Sequence, residues 1–130
     1  MKALVFDSGP LINLSMNGML DIIEKLKSIF KGRFLITKEV KYEVIDHPLT
    51  IPQFELGALR IQELLRKNIL ELPSAYDITE DTIQKQTIAF MKTANTCVDI
   101  GGEKIKIISE AEASCLGLSL ELTKRNIEAI

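Results

Sequence analysis

The sequence predicts an α/β fold, in three α/β/α layers around a central parallel sheet. Short apolar runs recur at residues 2–6, 34–36, 69–72 and 127–130. Stretches with helical spacing separate them, and parallel strands require such crossovers. The first run is continuously apolar, as in a strand buried on both faces.

Composition bounds the reading. The chain has 130 residues, of which 46% are hydrophobic and 26% charged, enough to bury a core and close to the usual size of one domain, spanning 1–130. Sixteen Lys and Arg face 18 Asp and Glu, a formal net charge of −2, which argues against tight nonspecific binding to duplex DNA. No apolar run approaches the length of a membrane span. The N-terminal run meets Asp7 too early for a signal peptide, so a cytoplasmic location without membrane attachment is expected. Cys97 and Cys115 form no C-x-x-C pair and are expected to be free thiols.

The elements follow in order. Asp7-Ser8-Gly9-Pro10 ends the first strand, and Pro10 suits the first position of a short helix capped by Ser8 or Gly9. Asn17-Gly18 breaks it. Leu20, Ile23, Leu26 and Ile29 mark a second helix over 19–30, with Gly32 at its expected C-cap. After the strand at 34–36, Thr37 caps a helix over 38–46 that His47-Pro48 closes. Pro52 opens a longer helix with Phe54, Ile61 and Leu64 or Leu65 turned inward. A strand at 69–72 and a helix over 79–94 follow, the latter with Ile83, Phe90 and Met91 as its apolar stripe. Residues 95–102 read as a loop and 105–108 as a short extended stretch. Ser109 begins the last helix, which ends near Thr123, and 127–130 begins another strand.

Three groups of acids could carry chemistry. Asp7 directly follows the first strand and precedes a helix start, where a ligand crevice lies in open parallel sheets. A turn-and-cap role is the simpler account of it. Glu39, Glu43 and Asp46 fall at i, i+4 and i+7, so a regular helix would put them on one face. Such a face is usually solvated, and Glu43 is the candidate to border the crevice. Ser109-Glu110-Ala111-Glu112 fits a capping box, which would explain Glu112 without chemistry; the alternative is a first-turn carboxylate pointing toward Asp7. His47 is the only histidine and suits a helix C-terminus. Neither a G-x-x-x-x-G-K-[ST] nor a G-x-G-x-x-G loop is present.

Together these pieces resemble a PIN domain, the metal-dependent ribonuclease fold. Residues 7–14, D-S-G-P-L-I-N-L, are similar to that family's opening segment. Residues 37–44, T-K-E-V-K-Y-E-V, resemble its second motif, with Glu43 in the acidic position. Residues 112–122, E-A-S-C-L-G-L-S-L-E-L, resemble its third, with Glu112 as the acid and Glu110 as a companion. The match covers nearly the whole chain in the right order. The family's fourth acid would follow the strand at 127–130, so the resemblance implies a domain shortened at its C-terminus. Val5-Phe6-Asp7-Ser8 also resembles phosphohydrolases of the haloacid dehalogenase type, but Gly9 stands where they need a second Asp.

The PIN resemblance implies a metal-dependent endoribonuclease that cleaves single-stranded RNA. Asp7, Glu43 and Glu112 would be its catalytic and metal ligands, with Glu110 as a further ligand and Ser8 behind them. Hard cations such as Mg²⁺ or Mn²⁺ take oxygen ligands, and a cation relieves the repulsion among clustered carboxylates. Lys38, Lys41 and Arg33 are candidates for substrate contact. The resemblance equally allows a catalytically degenerate PIN domain that binds RNA or a protein, such as an antitoxin partner. It also implies a homodimer.

Overall fold

The computed structural model describes residues 1–96, 99–100, 103–104 and 108–130. The fold is mixed α/β and mostly helical, with a small three-stranded parallel sheet. Strand β1 (Lys2–Val5) is central. It pairs in parallel with β2 (Arg33–Leu35) on one side and with β5 (Glu128–Ala129) on the other. Backbone bonds extend the second pairing to Ile130, whose N–H donates to Ala3 and whose carbonyl accepts from Val5. The expected strand at 69–72 reduces to one bridging residue. Glu71 donates to Phe34 O and accepts from Ile36 N on the outer edge of β2.

Side chains alternate between the two faces of the sheet, as the pleat requires. Leu4, Phe6, Phe34 and Ile36 join a cluster with residues of α1 (Ser8–Met16), α2 (Asp21–Ile29), α3 (Lys38–Lys41) and α4 (Glu55–Arg66). At its centre Phe34 meets Phe6 edge-on at 5.2 Å and Phe30 at 5.5 Å. Ala3, Val5 and Leu35 join a second cluster with Ile83 of α5 (Glu80–Thr96) and Leu118 and Leu122 of α6 (Glu110–Lys124). A short antiparallel pair, β3 (Asp99–Ile100) with β4 (Glu103–Lys104), forms a sheet separate from the main one; β3 falls within the stretch expected to be a loop, and β4 directly follows it. Cys97 and most of the 105–108 stretch lie outside the described residues. No described helix is long and apolar enough to cross a membrane.

Several boundaries differ from expectation for local reasons. Asp7, not Ser8 or Gly9, caps α1, because its carboxylate accepts from the Ser8 amide at 2.8 Å. Gly32 is not a helix cap: α2 ends at Ile29 with Phe30 as its C-cap, and a Cβ on Gly32 would meet Lys2 O and the Phe30 ring at 2.5 Å. Phe54 closes a 3₁₀ turn at Pro52–Phe54 and stays 41% exposed, because the α-helix proper starts one residue later. The helix expected over 38–46 is regular only to Lys41. Tyr42–Asp46 forms a π turn, in which His47 N donates to Tyr42 O five residues back.

The α5–α6 contact is the tightest helix crossing on the second face. Thr87 is buried and donates to Ile83 O, and the carboxylate of Glu121, only 7% exposed, accepts from Gln86 at 3.2 Å and Lys124 at 2.7 Å. Gly117 makes the approach feasible, since a Cβ there would lie 3.0 Å from Gln86 Cβ and 3.3 Å from Ile83 O. Gly117→Val is expected to overpack the crossing and cost about 1–3 kcal/mol of stability. Urea denaturation measures this; an unchanged midpoint would mean the two helices have room to separate.

Candidate functional site

The carboxyl ends of β1 and β2 define one edge of the sheet, and the chain leaves each through a capping residue. After β1 that residue is Asp7, half-buried at the start of α1. After β2 it is Thr37, fully buried, whose hydroxyl oxygen accepts from Val40 N at 3.2 Å to start α3. Asp and Thr are favoured at these positions because they satisfy amides that the first helical turn leaves unpaired. In an open parallel sheet this edge is where ligands are held.

The first turns of α6 close the same edge. The Thr37 and Ser114 hydroxyl oxygens are 2.7 Å apart, and Cys115 Sγ lies 3.7 Å from Phe6 O, next to Asp7. Burial pushes the Cys115 thiol up to about 12. The negative charge of Asp7 pushes the same way, as does that of Glu39; the neighbouring Ser114 and Thr37 hydroxyls oppose it. Asp7 and Glu39 therefore both bear on this one point. A cavity of about 380 Å³ adjoins it beyond β2, lined by Lys38, Glu39, Leu72, Pro73, Asp77 and Glu80 among others.

The predicted acids are placed unequally. Asp7, Glu39 and Glu43 are half-buried, while Glu110 and Glu112 are exposed. Glu112 is engaged as the sequence motif foresaw: its carboxylate accepts from Ser109 N at 2.9 Å, and Ser109 Oγ accepts from Glu112 N at 3.2 Å. The π turn breaks the i, i+4, i+7 spacing of Glu39, Glu43 and Asp46, because five residues per hydrogen-bonded turn advance the chain differently. Asp46 is turned back to Lys41, which it meets at 2.9 Å. Ser8 touches Asp7 through its backbone amide. Among the described residues, no three His, Cys, Asp or Glu side chains gather closely enough to hold a metal ion.

The three basic candidates are each paired with an acid. Lys38 meets Glu80 at 3.3 Å, Lys41 meets Asp46, and Arg33 meets Glu71 at 3.8 Å while lying over the Tyr76 ring. The Lys38–Glu80 pair, 68% and 67% exposed, is largely open to solvent and holds its partners weakly, while the Lys41–Asp46 pair is more enclosed. His47, expected only to end a helix, stacks on Tyr42 at 5.8 Å and lines an apolar groove with Ile12, Met16, Phe54 and Leu56.

Sequence reasoning missed the Thr37–Ser114 contact, the place of Cys115 beside Asp7, and the bearing of Glu39 on that point. The available signal was a serine within the apolar stripe Ala111, Ser114, Leu118 of α6, since a hydroxyl on a buried stripe needs a partner.

Two outcomes test this geometry. Ser109→Ala removes the cap of α6 and is expected to cost about 1 kcal/mol, read as a lower unfolding midpoint. With Cys97→Ser as background, the raised pKa of Cys115 leaves little thiolate at pH 8. Its alkylation by iodoacetamide should run at least about tenfold slower than that of an unfolded control, and accelerate with alkali. Equal rates at pH 8 would show that the thiol is neither buried nor facing negative charge. No protein-family model matches this chain, and neither a curated protein nor a solved structure does.

Proposed function

We propose that this chain is a PIN-like domain, three α/β/α layers about its parallel sheet, that acts as a metal-dependent endoribonuclease on single-stranded RNA. The observation that supports it best is Asp7. It is a half-buried carboxylate at the carboxyl end of the central strand, capping a helix, with the acid-bearing α3 and α6 meeting beside it. The sheet order puts β1 between β2 and β5, and in open parallel sheets ligands are held outside the carboxyl ends of the strands.

The donors fit a hard cation, because Asp7, Glu43, Glu110 and Glu112 offer only carboxylate oxygen. Mg²⁺ or Mn²⁺ bound there would supply an acidified water and offset charge on the phosphate. The protein's own part is positional. One Asp7 oxygen takes the Ser8 amide, which leaves the other for a cation. Glu43 lies in the π turn that follows α3, and Glu112 would have to release Ser109 to take part. Lys38 and Lys41 lie on the same segment and can take up backbone phosphates. A flexible single strand fits such an edge better than a duplex.

A second reading, a degenerate PIN domain that binds RNA or a protein such as an antitoxin, has one observation in its favour. No three acids converge closely enough to hold a metal ion among the described residues.

Titration with Mn²⁺, followed by electron paramagnetic resonance, tests the first reading. Asp7→Asn should keep the fold and weaken Mn²⁺ binding at least about tenfold. A labelled single-stranded RNA should be cut by the parent with Mn²⁺, and not after chelation. Mn²⁺ affinity equal in parent and Asp7→Asn would discard the metal assignment; RNA binding without cleavage would favour the degenerate module.

A further inference from the structure

We propose that Thr37 and Ser114 are a positioning pair that fixes α6 against the start of α3, and with it the relative placement of the acids those segments carry. The inference deepens the metal-site reading and rests on it for its functional consequence, but not for its geometry.

Both side chains are fully buried. Ser114 Oγ donates its single proton to Ala111 O at 2.6 Å. The proton in the 2.7 Å contact must then come from Thr37. Thr37 Oγ1 in turn accepts from Val40 N. The result is a chain with one direction, from Val40 N–H through the Thr37 and Ser114 hydroxyls to the Ala111 carbonyl. It joins residues 77 apart in sequence, and each hydroxyl in it both donates and accepts.

Its surroundings explain why a hydroxyl pair matters there. Val40, Ala111 and Ala113 are buried around it, and Cys115 follows Ser114. Apolar contact alone would keep α3 and α6 adjacent while letting them slide, because the hydrophobic effect is non-directional. A hydrogen bond fixes direction, and an unmade one leaves a buried hydroxyl unpaired. Thr37 directly precedes the segment bearing Glu39 and Glu43, and Ser114 lies on the helix bearing Glu110 and Glu112. Displacements near 1 Å matter at a site built from separate elements.

The test uses Thr37→Val, which removes the hydroxyl at similar volume, Ser114→Ala, which removes its partner, and Thr37→Ser, which keeps it. Nitroxide labels at Tyr42→Cys and Leu116→Cys, both on exposed positions, report the separation in a Cys97→Ser, Cys115→Ala background. Thr37→Val and Ser114→Ala should shift or broaden the distance distribution by roughly 1 Å, with Thr37→Ser matching the parent. Mn²⁺ affinity should fall about tenfold in the first two and be retained in Thr37→Ser. An unchanged distribution in either cooperatively folded variant overturns the proposal, as does a shifted distribution with parental Mn²⁺ affinity. If Thr37→Val fails to fold, Ser114→Ala and Thr37→Ser decide; a Thr37→Ser protein that departs from the parent in either measurement also overturns it. A parent that takes up no Mn²⁺ while the label distances respond overturns the metal reading and upholds the positional one.

Discussion

The constraint on which the rest of this structure depends is that β1 is paired on both sides and covered on both faces. Its neighbours come from distant parts of the chain, β2 near residue 33 and β5 near residue 128. A parallel pair cannot be closed by a tight turn, so each pairing demands a crossover. The helices follow from that demand. α1 and α2 intervene between β1 and β2, and α6 delivers the chain to β5. Alternation along β1 and β2 then sends Leu4 and Phe34 to one apolar cluster and Ala3 and Leu35 to the other. With so few strands, the core depends on helices more than on sheet pairing.

The same constraint assembles polar groups at one edge. Parallel strands all end on the same side, so the residues after β1 and β2 come together regardless of their sequence separation. Each is also a helix cap, and caps are polar by need. Asp7 and Thr37 are thus brought to one place by backbone requirements before any chemistry is invoked. The entry of α6 adds Ser114 and Cys115, and there electrostatics and burial act in one direction on the thiol. A thiol held protonated is a poor nucleophile and a poor metal ligand. Cys115 is therefore a packing residue of this edge.

What was legible in the sequence was what has a local code. The apolar runs gave β1, β2 and β5, the S-x-x-E pattern gave the cap of α6, and Thr37 gave the start of α3. The π turn at Tyr42–Asp46 was not legible, because periodicity assumes 3.6 residues per turn and one extra residue leaves composition untouched. That error moved Asp46 off the face assigned to it. The strand at 69–72 was overread: its apolar residues serve the first cluster, and only Glu71 reaches the sheet. The Thr37–Ser114 contact depends on the sheet bringing α3 to α6, which no local pattern encodes. Asp7 was placed correctly at the strand end, but its bond to the Ser8 amide shows that cap and candidate ligand are one residue with two oxygens.

Glu112 poses the sharper conflict, and magnitudes decide how it should be weighed. Its carboxylate is bound to the Ser109 amide, a reciprocal cap whose loss costs about 0.5–2 kcal/mol. Even groups that merely orient a metal ligand alter metal affinity by about 10–100-fold, which is roughly 1.4–2.7 kcal/mol. A carboxylate that binds the cation directly has at least that much to gain. Glu112 is also exposed, so turning it away from Ser109 requires no repacking, and the freed amide can take a water. The capping box and the proposed metal-binding role would therefore be two states of one side chain separated by a small free energy. The cap by itself does not count against the acid.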